Sequence, residues 1–222
     1  MIAEAIGGQL RGIDPDAVVA GTVVTDSREV EAGSIFVAIR GEHVDGHDYA
    51  VRAVQTGAAL VILEREVTAG GTDVELPAIL VADATVALGA LARAVLANLR
   101  GRQEGGPRVV AMTGSVGKTT TKDLLGSIFS HDGPTVAPVR SFNNEVGLPV
   151  TVLRCEENTS TLVLEMGASG PGHIRYLTDI AAPDVAAVLT VGSAHLGGFG
   201  GVEGIALAKS EIVTGLAPGG VA

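Results

Sequence analysis

The octapeptide Thr113-Gly114-Ser115-Val116-Gly117-Lys118-Thr119-Thr120 restricts the fold more than any other stretch of the chain. It follows an apolar segment, Arg108–Thr113, and opens a segment, Lys118–Ser130, that reads as a helix. Strand, glycine loop and helix in that order are the setting a phosphate-binding loop requires. The glycines let successive N–H groups converge on phosphate oxygens, and the helix N-terminus adds partial positive charge. Lys118 is spaced to reach terminal phosphates, and the Thr119 hydroxyl to ligate Mg²⁺. The strict pattern has a glycine five residues before Gly117, where this chain has Met112, so the loop is a shortened variant. The alternative is an ordinary strand-to-helix turn that contains Gly-Lys-Thr.

Downstream, the pattern predicts a short strand at Thr135–Ala137, a helix near Gly147–Arg154 and a strand at Thr161–Glu165. A helix at Gly172–Ile180, a strand at Val185–Val191 and a helix at Glu203–Thr214 follow. Apolar strands alternating with helices imply a parallel sheet covered on both faces. The last residues, Ala217–Ala222, read as a turn and the start of a further strand, so the sheet is expected to be incomplete. Upstream, strands are expected at Val18–Thr25, Ser34–Ile39, Ala59–Leu63 and Ala78–Val81, with a helix at Asp48–Gly57. Thr85–Arg100 places Val86, Leu88, Leu91, Val95 and Leu99 at helical spacing, with Asp83 or Thr85 as cap. The polar, glycine-rich stretch 101–107 reads as a linker. The fold class is therefore α/β: a small mixed α/β domain over 1–102, then a P-loop-type parallel sheet with helices on both faces over 107–222.

Composition narrows the function. A net charge of -10 argues against a groove for nucleic acid, although backbone N–H groups can still hold a phosphate locally. The single Cys155 excludes a disulfide framework and a cysteine zinc site, and fits a reducing cytoplasm. Mean hydropathy is +0.40, but the apolar runs are strand-length and Arg93 interrupts the run from Val86 to Leu99. No membrane span is expected, since one needs about 20 apolar residues. The N-terminus lacks the basic start and apolar run of a signal peptide. The chain is expected to act as a monomer.

Other residues carry two readings each. Asn143 and Asn144, in Asn143-Asn144-Glu145-Val146-Gly147, suit a helix cap or a site. Glu165 ends an apolar strand, where open α/β sheets bind ligands; it suits a Mg²⁺ ligand or a solvated strand end. His195 follows Val185–Val191 in a glycine-rich loop and by itself is a loop residue. Lys209 by itself is a solvated lysine near Glu211. Asp26-Ser27-Arg28 and Asp45-Gly46-His47-Asp48-Tyr49 are polar clusters whose chemistry alone names no ligand.

In order along the chain, these residues resemble the Mur ligases. The matching stretches are Asp26-Ser27-Arg28, Gly33–Ala38, Gly41, Asp45-Gly46-His47, Thr113–Thr120, Asn143–Pro149, Glu165-Met166-Gly167-Ala168, Ala194-His195-Leu196 and Ala208-Lys209-Ser210-Glu211-Ile212. The resemblance implies an ATP- and Mg²⁺-dependent carbon–nitrogen ligase of peptidoglycan precursor synthesis. Asn-Asn-Glu and Glu-Met-Gly-Ala favour, within the family, addition of D-alanyl-D-alanine to UDP-N-acetylmuramoyl tripeptide. That activity passes through an acyl phosphate, from which the amine then displaces phosphate. By position, Gly114, Ser115, Val116, Gly117, Lys118, Thr119 and Thr120 would hold the ATP phosphates. Thr119 and Glu165 would bind one Mg²⁺, and His195 and Lys209 a second. In this family the lysine matching Lys209 is carbamylated, which requires a neutral amine and hence a depressed pKa. Asn143 and Asn144 match the active-site asparagine region, and together with Lys118, Glu165, His195 and Lys209 make the catalytic set. Ser27, Arg28, Gly41, Asp45, Gly46 and His47 match the segment that cradles the UDP end of the substrate.

Two departures stand out. Gly197-Gly198-Phe199-Gly200-Gly201 follows His195 where the family commonly has a glutamate and a serine. Family members are also longer, with a C-terminal domain that closes over the site, so the chain alone is expected to have little ligase activity. A sister amide ligase, a non-catalytic UDP-sugar module and a generic NTPase are the alternative readings.

Overall fold

The structure, a computed structural model, describes residues 2–69, 72–73, 75–102, 106–192 and 201–222. In chain order the first compact unit, Met1–Leu91, contains α1 (Ile2–Ala5), β1 (Gln9–Arg11), β2 (Val23–Val24), β3 (Ile35–Val37), α2 (Ala50–Thr56), β4 (Leu60–Leu63), β5 (Thr68–Ala69), β6 (Thr72–Asp73) and β7 (Ala78–Leu80). Its main sheet runs β1-β7-β4-β3-β2, with β1 antiparallel to β7 and all other neighbours parallel. β5 and β6 form a separate antiparallel pair. The central strands β3 and β4 are buried throughout, as their unbroken apolar sequences require. Gly57 ends α2 at φ 126°, a conformation in which a side chain would be strained.

Helix α3 (Ala84–Arg100) starts where Asp83 Oδ1 accepts the N–H groups of Thr85 (2.8 Å) and Val86 (2.9 Å), so Asp83 rather than Thr85 is the cap. The two compact units divide between Leu91 and Ala92, inside this helix, and not at 101–107. The reason lies in packing. Ala92, Leu96 and Leu99 belong to the core of the second unit. Gly106 then returns so closely over Leu99 that a Cβ there would meet its carbonyl oxygen at 2.5 Å.

The second unit, Ala92–Ala222, contains β8 (Arg108–Thr113), α4 (Lys118–Phe129), β9 (Thr135–Val136), α5 (Gly147–Val152), β10 (Thr161–Glu165), α6 (His173–Ile180), β11 (Val185–Val188) and α7 (Val202–Thr214). Its sheet is wholly parallel, in the order β11-β8-β10-β9. Register places Glu165 beside Met112 and Val188 beside Thr113, so the C-terminal ends of β10 and β11 flank the start of the phosphate loop. Val221 bridges Val185 in parallel, consistent with the strand start read there.

Three strand expectations change. Val18–Thr25 shrinks to β2, and Val18 is 91% exposed. β11 stops at Val188 because the next residues turn to bond the phosphate loop. It is also less covered than expected: Val185 and Val188 remain partly exposed.

Arg100 fastens the start of this sheet. Its Nη2 donates to Asp184 Oδ2 (2.6 Å) and its Nη1 to the Ala182 carbonyl (3.0 Å), while the same Asp184 oxygen accepts Val109 N–H (2.7 Å). Arg100→Ala is expected to cost about 2 kcal/mol, in the range for hydrogen bonds to charged groups. Urea unfolding of the chain checks this, and a midpoint matching the parent's refutes it.

Candidate active site

The sharp turn from β8 into α4 is made by Gly117, at φ 88°, where the left-handed conformation favours glycine. Gly117 offers no side chain to cap α4, which leaves its first-turn N–H groups the kind of helix start that suits an anion. Lys118 Nζ donates to the Gly114 carbonyl at 2.8 Å, curling over the loop it would otherwise extend from. The loop is laced to the residues after β11. Ser115 N–H donates to the Thr190 carbonyl (3.0 Å), Val116 N–H to Thr190 Oγ1 (3.0 Å), and Gly192 N–H to Ser115 Oγ (3.0 Å).

Glu165 is 1% exposed, which excludes the solvated strand end. The Thr119 hydroxyl donates to its Oε2 at 3.2 Å and Asn143 Nδ2 to its Oε1 at 2.7 Å. The Ser141 hydroxyl lies 3.3 Å from that of Thr119. The two asparagines divide the readings between them. Asn144 Oδ1 accepts Gly147 N–H (2.9 Å) and so caps α5, whereas Asn143 sits on the carboxylate. The Asn143 carbonyl also accepts Gly167 N–H at 2.7 Å. A Cβ on Gly167 would lie 2.9 Å from Asn143 Oδ1, so the Glu-Met-Gly sequence lets this segment pass close beside β10.

Lys209 is buried, not solvated. Glu211 instead accepts the N–H groups of Gly172 (2.7 Å) and Arg175 (3.0 Å), capping α6 from α7. Burial, and then the positive charge of Lys118, push the Lys209 amine below its ordinary pKa. This is the direction the family resemblance requires. His195 lies outside the described residues. Cys155 packs in the core of this unit, where burial pushes its thiol up to about 12.

Oxygen donors dominate the strand ends. Among the described residues no group of three His, Cys, Asp or Glu side chains gathers to hold a metal. One buried carboxylate with two hydroxyls beside a phosphate loop nevertheless fits Mg²⁺, which keeps several waters and takes one or two carboxylates plus phosphate oxygens. Thr119 and Glu165 are the residues that would hold it.

The first unit positions its polar clusters differently. Asp26 caps a turn at Ser27–Glu29, accepting Arg28 N–H (3.0 Å) and Arg28 Nε–H (2.9 Å), and this pairing holds the Arg28 guanidinium above its ordinary pKa. Gly41 N–H donates to the Val44 carbonyl (2.8 Å), closing the turn before Asp45. Asp45 Oδ1 accepts His47 N–H (2.9 Å) and lies 2.6 Å from its Nδ1. These bonds, with Arg65, hold the Asp45 carboxyl well below the usual range. His47 is buried, and its Nε2 accepts Glu64 N–H at 2.8 Å, so both ring nitrogens are engaged within the unit. A Cβ on Gly46 would lie 2.8 Å from Ile39 backbone atoms. His47 and Gly46 therefore act on this loop by holding its shape.

Comparison with known proteins matches residues 112–222 to the Mur ligase middle domain and residues 21–96 to the Mur ligase family catalytic domain. The chain belongs to the Mur ligase family. A curated relative, UDP-N-acetylmuramoyl-tripeptide–D-alanyl-D-alanine ligase of Mycobacterium tuberculosis, is 43% identical over 95% of this chain and 44% of its own. MurF from Acinetobacter baumannii superposes with TM-score 0.85 at 36% identity, over 99% of this chain and 46% of that one. MurF from Thermotoga maritima, solved in complex with ADP, gives TM-score 0.74 at 38% identity, over 89% and 44%. The chain thus spans about half the length of the curated relatives it matches. Among the described residues no helix is long and apolar enough to cross a membrane.

In this Mur ligase chain the structure adds residues that the sequence did not single out. Ser141 stands two positions before Asn143, and only the proximity of its segment to α4 gives it meaning. Thr190 is one polar residue in an apolar run, and the lysine after Thr119-Thr120-Thr121 was absorbed into the helix pattern. That lysine, Lys122, is buried.

Proposed function

We propose that this chain is the UDP-substrate-binding and ATP-binding part of a ligase that adds D-alanyl-D-alanine to UDP-N-acetylmuramoyl tripeptide. The observation that carries the reading is the convergence of Thr119, Glu165 and Asn143 beside a phosphate loop, in a chain whose relatives bear that name. The ADP in the Thermotoga MurF structure supports nucleotide at the loop. In this reading the tripeptide carboxylate oxygen attacks the γ-phosphorus and the bond to the β-phosphate oxygen breaks, releasing ADP. The D-alanyl-D-alanine amine then attacks the acyl carbon, loses a proton, and phosphate departs. Lys118 and the α4 N–H groups neutralise phosphate charge as the two anions approach. Asn143, donating to Glu165, orients the carboxylate. Mg²⁺ held by Thr119 and Glu165 would supply further charge neutralisation. A depressed Lys209 pKa supports carbamate formation there and a second cation, with His195. The first unit, through Ser27, Arg28 and the Gly41–His47 loop, would take the UDP end. The reaction belongs in the cytoplasm, where ATP is available.

Calorimetric titration of the chain with a non-hydrolysable ATP analogue and with UDP-N-acetylmuramoyl tripeptide tests this reading. Binding of both is expected. Binding of the sugar nucleotide alone favours a non-catalytic module, and binding of the ATP analogue alone favours a generic NTPase; either outcome refutes the proposal.

A further inference from the structure

Lys122 is 2% exposed, although it lies on the helix that carries the exposed Leu124 and Ile128. A buried ammonium is costly unless its protons are bonded. Here Nζ donates to the Pro138 carbonyl at 2.7 Å and meets Asp123 Oδ1 at 2.6 Å. The nucleotide reading gives this lysine no task. It sits one helical turn after Lys118 and three residues after Thr119. Pro138 lies just past β9, at the head of the irregular segment that delivers Ser141 to the Thr119 hydroxyl and Asn143 to Glu165. Proline offers no N–H, so its carbonyl is the only main-chain group through which this residue can be hydrogen-bonded. Lys122 uses that group, and ties the exit of β9 to the same helix that presents Thr119.

We propose that Lys122 is a positioning residue for the divalent cation that accompanies the nucleotide. By fixing the Pro138 carbonyl to α4 it sets the path of 139–144, so that Ser141 and Asn143 arrive at Thr119 and Glu165. The inference rests on the nucleotide reading above. It assigns Lys122 no contact with phosphate. The lysine acts on the cation's oxygen donors and leaves the loop N–H groups alone. Its removal therefore affects affinity in the presence of Mg²⁺ and spares affinity in its absence.

The test uses the 222-residue chain and two variants. Lys122→Met fills the same volume without a donor, and Lys122→Gln keeps one donor for the Pro138 carbonyl. ADP affinity is measured by calorimetry with Mg²⁺ and with EDTA, and cooperative unfolding is checked by circular dichroism. In Lys122→Met the gain in ADP affinity on adding Mg²⁺ is expected to shrink about tenfold, as when outer-shell partners of metal ligands are removed. Affinity in EDTA should stay within about twofold, while Lys122→Gln keeps most of the gain. If Lys122→Met does not unfold cooperatively, Lys122→Leu, which also lacks a donor, takes its place in the same comparison: a smaller Mg²⁺ gain with EDTA affinity preserved supports the proposal. A folded variant set with the parent's full Mg²⁺ gain, or one that loses affinity equally in EDTA, overturns it. A parent chain that binds no ADP at all overturns the nucleotide reading beneath it instead.

Discussion

Glu165→Gln is expected to remove most of the Mg²⁺ dependence of nucleotide binding while leaving the chain folded. The carboxylate is almost wholly buried and is held on both oxygens, by the Thr119 hydroxyl and the Asn143 amide. Glutamine keeps that shape. Its carbonyl oxygen can accept from Asn143, and its amide can donate to the Thr119 hydroxyl in place of the bond it receives. What disappears is the negative charge that Glu165 places beside the phosphate loop. Removing an outer-shell partner of a metal ligand costs about 10–100-fold in affinity, so losing the ligand's charge should cost at least about 100-fold in Mg²⁺ affinity. Glu165→Ala would confuse the result, because it also leaves the Asn143 amide without its acceptor. ADP titrations with and without Mg²⁺, alongside a thermal melt, check the prediction. A Mg²⁺ gain equal to the parent's would remove Glu165 from the cation site.

The same carboxylate marks the limit of what the sequence shows. Its strand is legible, because Leu162-Val163-Leu164 is apolar and ends on a charged residue. The strand–loop–helix unit from Arg108 to Phe129 is legible for the same reason, since apolar run, glycine turn and helical period meet without ambiguity. Register is a tertiary property, and only the pairing of Glu165 with Met112 brings the carboxylate to the loop. Asn143 and Asn144 look interchangeable in sequence, yet the chain direction turns one onto Glu165 and the other onto the start of α5. Lys209 reads as solvated because a charged residue on a helix normally faces water. Its burial depends on which face of α7 meets the sheet, and the weak apolar periodicity around Ala206-Leu207-Ala208 does not tell. Strands β1, β5 and β6 are two or three residues long, too short to show any period.

A parallel limit applies to the polar clusters of the first unit. Asp45-Gly46-His47 reads as a polar cluster that names no ligand, whereas the histidine ring is enclosed and spends both nitrogens on Asp45 and the Glu64 N–H. A histidine and an aspartate two residues apart suit either a ligand site or an internal brace. The backbone N–H of Glu64, distant in sequence, gives the ring its second partner, and no local pattern contains it.

Lys118→Ala is expected to weaken nucleotide binding about 100-fold. A charge-assisted hydrogen bond contributes about 1.5–3 kcal/mol, and each 1.4 kcal/mol is a factor of ten in affinity. The loss should appear in EDTA as well as in Mg²⁺, because in the proposed reading the ammonium meets phosphate directly; this separates it from the cation-specific effect at Glu165. Stability should change little, since the bond given up is one to the Gly114 carbonyl on a half-exposed side chain. A second consequence follows at Lys209. Burial is the larger cause of its lowered pKa, and the charge of Lys118 the smaller. Removing Lys118 therefore moves the Lys209 amine only part of the way back toward its ordinary value, and it remains less protonated than a surface lysine at any given pH. Lys118→Arg should not restore affinity, because a planar fork does not reproduce a compact ammonium in a loop built closely around it. Calorimetry with ADP, with and without Mg²⁺, measures both variants. A loss below about threefold for Lys118→Ala would show that the loop N–H groups alone bind the phosphates.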